Sequence, residues 1–400
     1  MISFYANINI KMYVCEINLI SNPTMKQRHL FITLIVLSIV SLASCSKDQG
    51  GSGEPVKAPK IFSISSKFSG KAVYGQPIVI KGENFSTQPG GNVVVFGKQE
   101  VTDLIAFSAN EITVNAPRIS TYSLMMKVVS NGVESNERAL SYDQQKCDSV
   151  VVFENAKVEK IREGIVWTST TTTWLGEPRS LNVLSIKPSE TNKIGIHCQS
   201  PSGTSTSRQA TAMGAVAAIN AAYYGGTNHD GFIRVDGVVK VAGGRSCEAF
   251  FADGAFVIDD NVPAIYSVNG NAGAEALPSK NVVGSGPLLM LNGTVQNVNN
   301  TSDHNTTSHP RTAIGVTRDG RVLFATVDGR FPGLAVGMSS VLLARYMKLL
   351  GAYSALNLDG GGSTTMWIKG KGVVNHTSQG GTSSWDSPAE RSVGSIIYVK

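Results

Sequence analysis

The sequence is short of charge, of aromatic residues and of histidine, and each shortage excludes something. Only 16% of its 400 residues are charged, against 42% apolar. That balance excludes long disordered tracts, which need high charge and few apolar residues. Lys and Arg outnumber Asp and Glu by 35 to 29, yet no run of basic residues occurs. A nucleic-acid partner is therefore not expected, because such proteins gather basic charge on one face. The net excess of +6 leaves only weak steering toward an anionic substrate. The six histidines fall in no His-x-His or His-x-Asp pattern, although Asp303, His304 and His309 come close together. Cys147, Cys198 and Cys247 are too widely spaced for a zinc motif; in an oxidising compartment Cys198–Cys247 is the expected pair, leaving Cys147 over. No apolar run reaches the length of a membrane span.

What the chain does have begins near its start. Lys26 and Arg28 precede an apolar stretch from Leu30 to Leu42, which closes on Leu42-Ala-Ser-Cys45. A basic start, about a dozen apolar residues and a small-residue cleavage site make a secretory signal. Cysteine directly after Leu-Ala-Ser resembles the bacterial lipoprotein signal, which implies lipidation at Cys45, a membrane anchor and a place in the bacterial cell envelope. The true start is expected at Met25. Residues 1–45 are thus a signal segment, and residues 46–58, rich in Gly and Ser, a flexible tether. The sequons at Asn292, Asn300, Asn305 and Asn375 read as surface loops.

Residues 59–143 read as an all-β unit. Short apolar runs at Ile61–Ser65, Pro77–Lys81, Asn92–Phe96, Glu111–Asn115 and Leu124–Val129 alternate in character, and turn signals such as Asn131-Gly132 separate them. Strands at about ten-residue spacing argue for a β-sandwich. Gly82-Glu-Asn-Phe85, Val94-Val-Phe-Gly97, Ile112-Thr-Val-Asn-Ala-Pro117 and Asn131-Gly-Val-Glu-Ser135 resemble, in order, the motifs of the IPT/TIG family of Ig-like domains. That resemblance implies a spacer or binding module without catalytic residues.

Residues 144–400 read as an α+β domain, a mixed sheet with packed helices. Strand-like runs occur at Ser180–Ile186, Lys193–His197, Phe232–Val235, Arg311–Val316, Val322–Val327 and Ile396–Val399. Helical spacing appears in Arg208–Asn220, through Thr211, Ala215, Val216 and Ile219, and in Ser339–Leu350. The second helix has Ser339 or Ser340 as N-cap and Gly351 as stop signal.

Several stretches could carry chemistry. Asn357-Leu-Asp-Gly-Gly-Gly-Ser-Thr-Thr365 places a carboxylate and three glycines after a predicted strand, Tyr353–Leu358. Glycines let backbone N–H groups approach an anion; a Gly-rich turn with a solvated Asp359 is the equal alternative. Arg311 and Asp328 lie near one end of a hairpin turning at Asp319-Gly320, where they either form a salt bridge or present Arg311 to phosphate. Asn220-Ala-Ala-Tyr-Tyr224 could make a sugar-binding wall, and Glu390-Arg391 sit side by side before the last strand.

Taken in order, Asn220–Tyr224, Gly286–Leu288, Arg311–Gly315, Val327–Arg330, Leu356–Met366 and Glu390–Val393 resemble the motifs of the phosphodiester glycosidase family. One departure stands out: Ala221-Ala-Tyr-Tyr224 replaces the family's Gly-Gly-Phe-Phe, and methyl groups there are expected to narrow the backbone approach to a sugar. The resemblance implies hydrolysis of the C1–O bond in a sugar-1-phosphodiester of the N-acetylglucosamine-α-1-phosphodiester kind, in a phosphorylated glycan. A phosphate leaving group needs little acid help but does need cations and N–H donors around it, and a carboxylate near the oxocarbenium-like carbon. Asp359, Glu390 and Arg311 are the catalytic candidates. Gly360, Gly361, Gly362, Ser363 and Thr364 would hold phosphate; Asn220 and Tyr224 would orient the sugar. Arg245, Asp328 and Arg391 are second choices. A divalent cation beside Asp359 is left open. A metal-dependent phosphodiesterase and a non-catalytic glycan-binding lipoprotein stand as alternatives.

Overall fold

The computed structural model describes residues 57–119, 121–199, 201–225, 228–243, 252–298, 302–379 and 384–400. Cys45, Arg245, Cys247 and Asn300 lie outside them. The signal, anchor and tether, the expected Cys198–Cys247 pair and one candidate site residue therefore have no structural account here.

In residues 60–141, two antiparallel sheets face one another. Lys60–Ser66, Pro77–Glu83, Glu111–Asn115 and Leu104–Phe107 form one. The other contains Gln99–Val101, Asn92–Phe96, Ser123–Ser130 and Val133–Glu134, with Arg138–Ser141 also paired to Ser123–Ser130. The alternation that marked these strands is the inward face: Ile78, Ile80, Val94, Phe96, Ile112, Val114, Met126 and Val128 are all buried. Period-two burial on two facing sheets is what builds a sandwich core.

Strand dominates beyond residue 143 as well, which corrects the expectation of a mixed sheet with substantial helices. Every pairing of named strands among the described residues is antiparallel, and the helices there are short: α1 (Gln144–Phe153), α2 (Thr206–Ala212), α3 (Gly270–Glu275), α4 (Asp303–Thr306) and α5 (Ser340–Leu349). No described helix is long and apolar enough to cross a membrane. The stretch expected as one helix over Arg208–Asn220 divides. Its chain leaves α2 at Met213, turns at Gly214 (φ +66°) and enters the strand Ala217–Asn220. Helix α5 matches its expectation, with the Ser339 hydroxyl accepting from Leu342 N at 3.3 Å and Gly351 at φ +84° just past its end.

The central element is an eight-stranded sheet ordered Lys157–Arg162, Ile165–Trp174, Glu177–Ile186, Val322–Val327, Arg311–Thr317, Ala352–Asn357, Leu288–Leu291 and Thr294–Val295. Both faces are covered. Leu323, Ala325 and Val327 join the core that contains Leu343 and Met347 of α5, whereas Val322 and Phe324 join a second core with Ile219, Met366 and Ile397. A strand buried on two sides reads as a continuous apolar run, as Val322-Leu-Phe-Ala325 does. The second core is closed by two five-stranded sheets. One is ordered Ile194–Cys198, Ser395–Val399, Ala217–Asn220, Met366–Ile368 and Gly372–Val373.

Candidate functional site

The strand Ala352–Asn357 lies between Arg311–Thr317 and Leu288–Leu291, and its end carries a cluster of buried polar residues, Asn357, Asp359, Ser363, Thr364 and Thr365. Past Asn357 the backbone is held by its neighbours. Leu358 N donates to Thr312 O, Asp359 N to Ala221 O and Gly361 N to Pro310 O, each at 2.9 Å. Two glycines have steric reasons to be there. A Cβ on Gly360 would lie 2.7 Å from Pro310 O, and Gly361 has φ +60° with a would-be Cβ 3.1 Å from the Arg330 guanidinium. Only glycine passes so close or adopts that φ without strain. Gly360 and Gly361 are half-buried, whereas Gly362, Ser363 and Thr364 are buried in and behind a 3₁₀ turn over Gly361–Ser363.

Asp359 sits at the base of this loop with 9% of its surface exposed. Burial pushes its carboxyl up to about 7, against the Ser363 hydroxyl, the Arg391 guanidinium and the amides of Tyr224 and Gly360, which draw it down. Its Oδ2 has no hydrogen-bond partner among the described residues, nor have the Ser363 and Thr364 hydroxyls. Ser363 thus lies near enough to act on Asp359 electrostatically but does not meet hydrogen-bond geometry. A buried carboxylate oxygen without a donor is costly unless something else supplies one.

Two cations border the loop. Arg391 donates to Tyr224 O at 3.3 Å, and a Cβ added to Gly362 would lie 3.5 Å from its Cδ. Arg330 is exposed, holds the left-handed φ of +66°, and directs its guanidinium over Gly361. Glu390, on the other side of Arg391 in sequence, accepts from Ser207 N at 2.9 Å and from the Ser207 hydroxyl. It is tied to the first turn of α2.

The remaining candidates serve inside the protein. Arg311 is fully buried and does not pair with Asp328, which corrects the salt-bridge reading; nor does it face open space. Its Nε donates to Met338 O at 2.8 Å, Nη1 to His304 Nε2 at 3.0 Å, and Nη2 to Thr307 O at 3.1 Å and to His304 O. Burial and Arg330 lower its pKa to about 10, so it stays charged. Asp328 accepts from Ser180 Oγ at 2.5 Å, His376 N at 3.0 Å and Asn375 Nδ2 at 3.2 Å. Burial raises its pKa, and those donors oppose the rise. Asn220 is fully buried: its Nδ2 donates to Asp359 O at 2.6 Å and its Oδ1 accepts from Thr312 Oγ1 at 2.7 Å and Thr365 N at 3.1 Å. It clamps the loop from behind instead of forming a sugar wall. Tyr224 is also buried, its hydroxyl accepting from Gly203 N at 2.9 Å. The methyl groups of Ala221 and Ala222 belong to the second core, so they fill space there and do not narrow the approach to the loop. Two sequons are likewise no surface loops. Asn305 and Asn375 are buried, and Asn305 Oδ1 accepts from Ser340 Oγ at 2.9 Å.

Sequence reasoning missed a chain of groups behind Asp359. Asn357 Nδ2 donates to the Tyr223 hydroxyl at 2.6 Å, and that hydroxyl lies 3.0 Å from His304 Nε2. Because Arg311 always donates, His304 Nε2 must accept, which fixes a neutral ring protonated at Nδ1. Burial, then Arg311 and His309, push the His304 pKa down to about 3. The signal in the sequence was Tyr223 itself, one of the two hydroxyls that depart from Phe-Phe. Among the described residues no three His, Cys or carboxylate side chains converge on a metal-sized space, and the lone pair of His304 Nε2 faces a guanidinium.

The chain matches two family profiles: residues 213–400 match the family described as phosphodiester glycosidase, and residues 59–142 the IPT/TIG domain. It is similar in structure to the catalytic domain of zebrafish N-acetylglucosamine-1-phosphodiester alpha-N-acetylglucosaminidase auto-inhibited by its pro-peptide. That similarity has 15% identity and a TM-score of 0.49, over 61% of this chain and 87% of that one. A hypothetical protein from Synechocystis is similar at 16% identity and a TM-score of 0.46, over 91% of this chain and 84% of that one. No curated protein sequence matches the chain.

Proposed function

We propose that the chain hydrolyses the C1–O bond of a sugar-1-phosphodiester, releasing free sugar and a phosphomonoester; the match of residues 213–400 to the phosphodiester glycosidase family supports this reading. The observation that carries this reading is the half-buried glycine loop, with Asp359 at its base and Arg391 and Arg330 at its border. The loop supplies backbone approach for a phosphodiester, and the two guanidiniums supply the charge that a departing phosphate needs. Asp359 is the carboxylate for the anomeric carbon. As the C1–O bond breaks, its electron pair leaves on the phosphate oxygen, and the positive charge developing at C1 is stabilised by ionised Asp359. Water then supplies the hydroxyl at C1, and its proton passes to a basic group or to solvent.

Arg311 acts here as a positioning residue. It fixes His304, Thr307 and Met338, and through Tyr223 and Asn357 the same network reaches the strand end that bears Asp359. Glu390, tied to Ser207, is the second carboxylate of the reading. The substrate is taken as an N-acetylglucosamine-α-1-phosphodiester in a cell-envelope or scavenged phosphoglycan. Lipidation of Cys45, carried by the signal-like N-terminal sequence, would hold the enzyme at the envelope; incorporation of an alkynyl fatty acid that is lost in Cys45→Ala tests that part.

The central test is product identity. Incubation with an N-acetylglucosamine-α-1-phosphodiester is expected to give free sugar and phosphomonoester, with kcat reduced about a hundredfold or more in Arg391→Ala. Sugar-1-phosphate as product would instead indicate P–O cleavage. Binding without turnover would favour the glycan-binding alternative.

A further inference from the structure

Outside the site just described, the molecule holds a cleft of about 660 Å³ between α1 and α5. Its wall runs along one face of α5 through Val341, Arg345 and Lys348, spaced to line a single helical stripe. Arg179, from the strand Glu177–Ile186, lies against it.

Three features of this cleft need an occupant. Arg179 is 5% exposed, donates to Gly337 O, and has a buried Nε with no partner among the described residues. Among the described residues no carboxylate pairs with it or with Lys348, whereas Arg345 is consumed by Asp148 and by the Tyr122 hydroxyl. The cleft therefore carries two cations without a direct ion pair, Arg179 feeling Glu177 only beyond ion-pair distance, and the N-terminal turn of the ten-residue α5 opens into it beside Ser339. Three large apolar side chains, Leu175, Val295 and Val341, stand exposed around it. Exposed apolar side chains grouped at one cleft, with unpaired positive charge below them, fit a ligand that has both an anionic head and an apolar body.

We propose that this cleft is a second binding site, which takes a small amphiphile whose oxyanion head, phosphate or carboxylate, seats against Arg179 and the first turn of α5. Its apolar body lies over Val341, Leu175 and Val295, with Lys348 at the rim. The inner wall includes Ser308 and Ser339, which flank the His309–Met338 bridge whose Met338 carbonyl receives Arg311. The ligand thus sits one layer of backbone away from the positioning network of the glycosidase reading, but the cleft stands on its own residues and does not depend on that reading.

Calorimetry of the full chain with hexyl phosphate, hexanoate and inorganic phosphate tests it. Hexyl phosphate or hexanoate is expected to bind at least tenfold more tightly than inorganic phosphate, and whichever head binds better identifies the natural source. Binding should fall at least tenfold in Arg179→Gln. The exposed-site variants Val341→Asp and Lys348→Glu should weaken it without a shift in melting temperature, which keeps the test valid if Arg179→Gln fails to fold. Absence of binding by both amphiphiles overturns the proposal. So does binding that survives Val341→Asp and Lys348→Glu, or that is lost in Arg391→Ala, since it would then belong to the Asp359 loop.

Discussion

The Ig-like sandwich and the domain that follows it treat buried polar groups in opposite ways. In the sandwich the buried polar side chains satisfy one another: Asn92 accepts from Ser86 N at 2.9 Å and donates to Ser86 O at 2.7 Å, with Ser130 alongside. Among the described residues, the buried side-chain polar atoms without a partner all lie from Thr170 to Ser378, and they include Asp359 Oδ2, Ser363 Oγ, Thr364 Oγ1 and Arg179 Nε. Four buried charged groups, Arg179, Arg311, Asp328 and Asp359, are also confined to that region, apart from Asp148 in α1, which Arg345 neutralises. In the sandwich these buried groups complete their hydrogen bonds internally. A site must leave donors and acceptors open for its ligand, and stability is lost in proportion.

The largest effect expected from this difference is at Asp359. Asp359→Asn should reduce kcat about a thousandfold while leaving the fold intact. If the ionised form acts, kcat/KM of the wild type rises with pH through about 7, the value to which burial lifts this carboxyl. The stability sign runs the other way. With a folded pKa above the ordinary 3.8, the carboxyl's stabilising contribution is complete at low pH and disappears as pH rises through about 7. At pH 8 the Asn variant should therefore be more stable than wild type by roughly 1–4 kcal/mol, and at pH 4 about equal. Denaturant melts at the two pH values read this directly. An Asn variant equally destabilised at both would erase the contrast between the two regions.

The complementary change is in the sandwich. Ile112 is fully buried between its sheets, so Ile112→Ala should cost about 2–5 kcal/mol. In the fraction that stays folded, kcat should be unchanged. A melting curve beside an active-site titration separates the two quantities. A drop in kcat per folded molecule would mean that the sandwich takes part in the chemistry and is more than a support.

How much of this was legible beforehand divides along the same line. The sandwich strands were readable because short β-rich runs recur at about ten residues between turn signals such as Asn131-Gly132, and their burial has period two, with Val79 half-buried between the buried Ile78 and Ile80. The strand Ala217–Asn220 was not: it is buried on both sides, so no alternation appears. Its apolar residues continued α2's spacing closely enough to pass for a longer helix, with only Gly214 as a warning. Strands such as Ile165–Trp174, with its run of threonines, carried no apolar signal strong enough to separate them from loop. At the site, the order of motifs located the loop and its glycines. Which side of a strand each polar residue faces, however, is set by the sheets above and below. Hence Arg311 and Asn220 were assigned to the substrate although both are enclosed, and Arg330, the last residue of a motif already noticed, was passed over.

The smallest expected effect concerns Tyr223, where the chain carries a hydroxyl in place of a phenyl hydrogen. Tyr223→Phe removes an acceptor from Asn357 and a donor from Gly286 O, 2.9 Å away. Both partners keep other bonds, since Asn357 Nδ2 also donates to Gly286 O and Leu358 O, each at 2.9 Å, and His304 Nε2 keeps Arg311 at 3.0 Å. Loss of stability should therefore stay near 0.5–1.5 kcal/mol, far below the cost of an orphaned buried group. Activity should fall only a few-fold, in kcat and not in KM, because the hydroxyl touches the strand end behind Asp359 and no substrate. A shift in KM instead would put Tyr223 on the wall of the site and would move the boundary between satisfied and open groups one layer deeper into the domain.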